Sequence, residues 1–170
     1  LSQEDPAKHR KVEIEGTVLF VYSKHSAMVI HDGTGSCWVG TSLPLNENIK
    51  YGSKVRVTGQ TYIHSSYLAN IEEATAEYLG EGSIPEPRVA SAEDLFAQWI
   101  DTQWIQMEAL VVGTEEDGLA FTLVLDIAGK IFKADVPFEP DSEKRAAVLM
   151  QRRVLFTGVA DTVVNDSRQM

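Results

Sequence analysis

Residues 31–40 read HDGTGSCWVG: one Asp, three glycines, two hydroxyls, a lone Cys and a Trp, set between apolar runs. Phosphate cradles, metal loops and tight hairpins all draw on such residues. A Walker-type cradle needs Gly-Lys-Ser/Thr after its glycines, but Ser36, Cys37 and Trp38 follow here. A dinucleotide loop delivers its glycines to a helix N-terminus, whereas Cys37-Trp38-Val39 reads as a continuing strand. A calcium loop needs several alternating oxygen ligands, and only Asp32 is acidic. Asp-Gly does supply the positive dihedrals of a turn between strands. The stretch therefore predicts a hairpin, and with it a β protein without phosphate or metal chemistry at this loop.

The flanking sequence extends the β pattern. VEIEGTVLFV (12–21) alternates Val12, Ile14, Gly16, Val18 and Phe20 on one face with Glu13, Glu15 and Thr17 on the other, the period of a half-buried strand. Val55, Val57 and Gly59 alternate with Lys54, Arg56 and Thr58 in the same way. SSYLANIEEATAEYLG (65–80) has helix-favouring Ala and Glu, yet a closing strand agrees better with the hairpins before it. From Gly80, GEGSIPEP marks a boundary. Ser91 then stands three residues before Asp94 in a capping pattern, and Leu95, Phe96, Trp99 and Ile100 form a short helical stripe, expected to plug the seam between two domains.

The second half repeats the first. WIQMEALVV alternates like VEIEGTVLF, LVLDIAGKIFKADV follows the strand, Asp, Gly, strand order of MVIHDGTGSCWVG, and RRVLFTGVA parallels SKVRVTGQT. The spacing of Asp32 to Asp126 equals that of Gly35 to Gly129, while Gly59 to Gly158 is longer where a helix, DSEKRAAVLMQ, is inserted with Ala146, Leu149 and Met150 on one face. Five short strands, with a hairpin at the second and third, describe the OB-fold, a small Greek-key barrel. The fold class expected is mainly β: two tandem five-stranded OB-fold-like barrels, the second short of its last strand, joined by a Pro/Gly linker with a short helix. The boundaries expected are 1–79, 80–103 for the linker, and 104–170.

The 170 residues carry 25 acidic and 15 basic side chains, a net charge of -10. That mean field repels a phosphate backbone and places nucleic acid among the disfavoured partners. The single cysteine, Cys37, excludes an internal disulfide and reads as a buried small hydrophobe. No apolar run reaches the length of a spanning helix, so no membrane contact is expected from this stretch. Hydroxyls near His25 and His64 lack a nucleophile elbow and a third partner. His9, His25, His31 and His64 show no paired metal spacing; only an approach of His31 to His64 across a barrel offers a zinc site, and the expectation is no metal. No catalytic residue, cofactor or enzymatic activity follows. The aromatics remain: an OB barrel binds on strands two and three, so Trp38, with Tyr22, Tyr62 and Tyr67 in adjoining strands or loops, is the candidate stacking platform for a base or sugar. Packing inside the core or between domains is the competing role for Trp38, since Trp99 and Trp104 suggest that indoles seal the seam.

The order VEIEGTV, VIHDGTGSCWV, YGSKVRVTGQ, LGEGSIPEPRVASAEDL and DTQWIQMEALVV, over residues 10–165, resembles the tandem OB-like extracytoplasmic region of bacterial sensor histidine kinases and related signalling proteins. It departs from that pattern where Ala109 replaces the strand-one Gly and where the last strand is lacking. The resemblance implies a non-catalytic sensory or interaction module of an exported signalling protein, periplasmic or extracellular, its parent membrane-anchored. Its partner would be an unidentified small molecule or protein, and the resemblance carries no ligand residues with it. The alternative reading is a nucleic-acid or carbohydrate-binding OB module using the aromatic face.

Overall fold

A computed structural model describes residues 10–22, 26–63, 69–97, 100, 102–116, 121–136 and 142–161. The protein is mainly β, and among the described residues it comprises two five-stranded sheets with two short helices. By compactness the chain divides into two units, one of Leu1–Arg88 with Gln98–Ile105 and Gly158–Met170, the other of Val89–Ala97 with Gln106–Thr157.

In the first unit β1 (Lys11–Tyr22), β2 (Ala27–His31), β3 (Ser36–Thr41), β4 (Ser53–Ile63) and β5 (Ala69–Glu81) close into a barrel in the order β1-β2-β3-β5-β4. Closure comes from a parallel pairing of β3 with β5, in register at Val39 and Ile71, and an antiparallel pairing of β1 with β4. The Ala- and Glu-rich run is thus a strand: its helix propensity yields to two ladders of partners. Val18, Met28, Ile30, Val39, Val55 and Val57 fill the interior at 0% exposure.

The alternation expected along β1 breaks at its centre. Val18 pairs with Ile30 and Phe20 with Val29, so Leu19 is an inserted bulge. Val18 and Val21 therefore point inward with Ile30 and Met28, whereas Phe20 and Tyr22 are moved to the outer face.

The opening stretch is the β2–β3 hairpin, paired from Ala27–Gly40 to His31–Ser36. Asp32 Oδ1 accepts from the Thr34 and Gly35 amides at 2.8 and 3.0 Å and from the Thr34 hydroxyl at 2.7 Å, while Gly33 takes φ 97°. These bonds, the hydroxyl's foremost, hold the Asp32 carboxyl below the usual carboxylate range.

The second unit's sheet runs β10-β7-β8-β9, from β7 (Trp104–Glu116), β8 (Phe121–Ile127), β9 (Lys130–Val136) and β10 (Arg153–Val159), with β6 (Arg88–Val89) also on β7. Ahead of it, α1 (Ala92–Phe96) is nucleated by the expected capping box of Ser91 with Asp94. Between β9 and β10, α2 (Ser142–Leu149) buries Ala146, with Leu149 and Met150 half-buried. The β8–β9 turn is tighter than its first-unit counterpart: Ala128 and Gly129 take φ 53° and 82°, and Asp126 Oδ1 accepts from the Gly129 amide at 2.8 Å.

A candidate ligand-binding face on the first barrel

The pairing registers determine which side chains share the barrel's outer surface. Because antiparallel partners point to the same side, Phe20, Val29 and Trp38 form one row on the barrel's outer side across β1, β2 and β3, in which Val29 is covered, at 1% exposure, and Phe20 and Trp38 are half-buried. Val39 and Ile71 are both interior, so their predecessors Trp38 and Asn70 both point to the barrel's outer side, where Asn70 is nevertheless buried, and Asn70 pairs with Tyr62 on β4. Tyr22, opposite Ala27, completes the margin: its ring meets Phe20 edge-on at 4.8 Å, and its hydroxyl lies 3.4 Å from Asp161 Oδ2. Of the residues expected in the platform, Trp38, Tyr22 and Tyr62 therefore share the outer surface, and Tyr67 lies outside the described residues. Phe20 was not foreseen, because strict alternation puts it inside; only the bulge reveals it.

Trp38 is half-buried. A Cβ built on Gly40 would stand 2.7 Å from Trp38 Cη2 and 2.8 Å from Cζ3, so the indole lies along its own strand over the side-chain-less position two residues on. Trp104 has a different task. Its Nε1–H donates to the Pro85 carbonyl at 3.1 Å and its ring stands 6.0 Å from Tyr51, both within the first unit. Trp99 lies outside the described residues.

Charge is segregated on this barrel. Residues 16–22, 27–31 and 36–41 contain no Asp, Glu, Lys or Arg. The charged side chains stand on β1's first half, β4 and β5, with carboxylates on β1 and β5 and only cations on β4: Glu15 pairs with Lys54 and Arg56 at 2.9 and 2.8 Å, and Arg56 with Glu77 at 3.1 Å. The Lys54 ammonium and then the Arg56 guanidinium hold the Glu15 carboxyl below its ordinary value. These are solvated surface pairs of small energetic weight.

His31 accepts from the Gly33 amide through Nδ1 at 3.0 Å, and His9, His25 and His64 lie outside the described residues. Among the described residues no group of three or more His, Cys, Asp or Glu is placed to hold a metal. No helix among them is long and apolar enough to cross a membrane. Burial, with the Asp32 charge adding to it, pushes the Cys37 thiol up to about 11.

No family model and no curated protein matches the chain. Solved structures similar to it include the p204 HINb domain, at 9% identity and TM-score 0.43, covering 89% of this chain and 98% of that one. The Ifi202 HINa domain in complex with a 20-base-pair double-stranded DNA aligns at 10% identity and TM-score 0.41, covering 91% and 99%. A murine DNA-binding protein bound with double-stranded DNA aligns at 10% identity and TM-score 0.37, covering 89% and 100%. Likenesses at this level assign neither family nor ligand.

They nevertheless correct the sequence reading. These structures are HIN domains and DNA complexes, not bacterial sensor-kinase regions, so that resemblance is withdrawn. With it go the exported signalling role, the periplasmic or extracellular placement, the bacterial two-component association and the discounting of nucleic acid. The physical reasons are plain. Alternating strands and Gly-rich hairpins are what any small barrel requires, whatever it binds. A net charge is an average over the chain, and this average does not describe the strand segments 16–22, 27–31 and 36–41, which contain no Asp or Glu.

Proposed function

We propose that the first barrel is a nucleic-acid-binding module that stacks an unpaired base on Trp38, with Phe20, Tyr22 and Tyr62 on the same side of the barrel. The observation that carries this reading is the outward indole over Gly40, among strand segments 16–22, 27–31 and 36–41, which contain no formally charged residue. Stacking on an aromatic platform requires an exposed base face, so single strands are the preferred form. The linker and boundaries at 80–103, and a second barrel-like copy over 104–170, belong to the same proposal. The shared contact of Asp32 with Gly35 and of Asp126 with Gly129 supports the duplication.

The test is a fluorescence titration with a single-stranded oligothymidylate at low and moderate salt. Binding is expected to quench Trp emission, with a shallow salt dependence because so few cations border those strand segments. Trp38→Ala is expected to weaken binding by about 1 to 3 kcal/mol, roughly 5- to 150-fold. No binding at low salt removes the proposal. The same absence of Lys and Arg from those strand segments favours a second ligand class, a neutral oligosaccharide, and quenching by oligosaccharide but not by DNA would select it.

A further inference from the structure

We infer that Gly40 is the positioning residue of the platform: its missing side chain lets the Trp38 indole lie flat along β3. This inference rests on the proposed stacking face for its functional meaning, and on the barrel's geometry alone for its structural content. The three atoms nearest a Cβ at Gly40 all belong to the indole: Cη2 at 2.7 Å, Cζ3 at 2.8 Å and Cζ2 at 3.8 Å. Two of these distances are shorter than real Cβ atoms tolerate. The backbone at Gly40 does not otherwise call for glycine, since its φ is not among the positive values. Glycine within a strand interior ordinarily weakens it and marks a close approach by another group. Here that group is the tryptophan two residues before it, a local arrangement in which an aromatic ring covers a strand glycine. A side chain at 40 would lift the ring off the strand and change the angle at which its free face meets a ligand.

The two roles are separated by a double-substitution cycle on the whole chain. Gly40→Ala is expected to lower the melting temperature by a few degrees while Trp38 is present, and to leave it unchanged or raise it in a Trp38→Ala background, where nothing remains for the Cβ to strike. In a chain whose Trp99 and Trp104 are replaced by Phe, the same Gly40→Ala change is expected to make Trp38 emission more accessible to acrylamide. Oligothymidylate binding should fall at least fivefold with Gly40→Ala, and adding Gly40→Ala to Trp38→Ala should cost nothing further. Equal melting shifts in both backgrounds, or unaltered quencher access, overturns the positioning role. If the parent chain binds no oligothymidylate, the stacking proposal fails, while the melting and quenching results still decide the role of Gly40. If Gly40→Ala does not fold, recovery of folding by the added Trp38→Ala supports the inference, and failure to recover overturns it.

Discussion

Gly59 and Gly158 occupy matching places in the repeat read from sequence, yet the structure predicts opposite responses to the same substitution. A Cβ on Gly59 would lie 2.7 Å from Ile71 Cγ2, 2.9 Å from the Glu72 carbonyl oxygen and 3.1 Å from Ala74 Cβ. Ile71 and Ala74 are core residues at 5% and 0% exposure, and a backbone oxygen and an Ala methyl have no rotamer by which to move aside. Relief must come from displacing β5 against β4, beside the register shift between Thr58 and Gln60. Overpacking of this kind costs about 1 to 3 kcal/mol, and the fixed neighbours place Gly59→Ala in the upper part, about 2 to 3 kcal/mol. For a chain of this size that lowers the melting temperature by roughly 4 to 12 °C. A Cβ on Gly158 meets nothing within 4 Å. Gly158→Ala should therefore gain about 0.5 kcal/mol from the reduced freedom of the unfolded chain, roughly 1 to 2 °C. Thermal unfolding of the two variants by circular dichroism makes the comparison. Shifts of the same sign and size would refute the steric reasoning.

The β8–β9 turn offers a stabilising change: Ala128 sits at φ 53°, a conformation that Asn adopts at less cost than Ala, so Ala128→Asn should raise stability by about 0.5 to 1 kcal/mol in urea melts, and a lower midpoint would contradict this. Cys37, its thiol pushed up to about 11, should resist labelling by a disulfide reagent at pH 8 until the protein is unfolded; rapid stoichiometric labelling of the native chain would show that burial does not control it. The Asp32 carboxyl is held below its ordinary 3.8, so it stabilises the fold above that pH, and the contribution is lost as the pH falls through its lower folded value. Melting curves between pH 6 and pH 2 should show that loss in the parent and a flatter profile in Asp32→Asn; identical profiles would remove Asp32 from the acid response.

The sequence by itself determined the β character, the turns and the helix cap. Alternation of apolar residues, Asp-Gly at a strand end, and Ser91 placed three residues before Asp94 are local signals, each complete within a few positions. It also picked out Trp38 as the aromatic on the hairpin. What only the tertiary structure decided are the features set by a partner strand. The bulge at Leu19 turns Phe20 from core to surface, because register is fixed by the hydrogen-bonding neighbour and not by the strand's own pattern. The ladders on both sides of β5 override its helix-favouring composition, and the packing around Gly59 and Gly158 makes one glycine required and leaves the other open. The charge average of the whole chain likewise concealed strand segments, 16–22, 27–31 and 36–41, without carboxylates. Such properties depend on contacts between residues far apart in the chain, and no count or period along the sequence contains them.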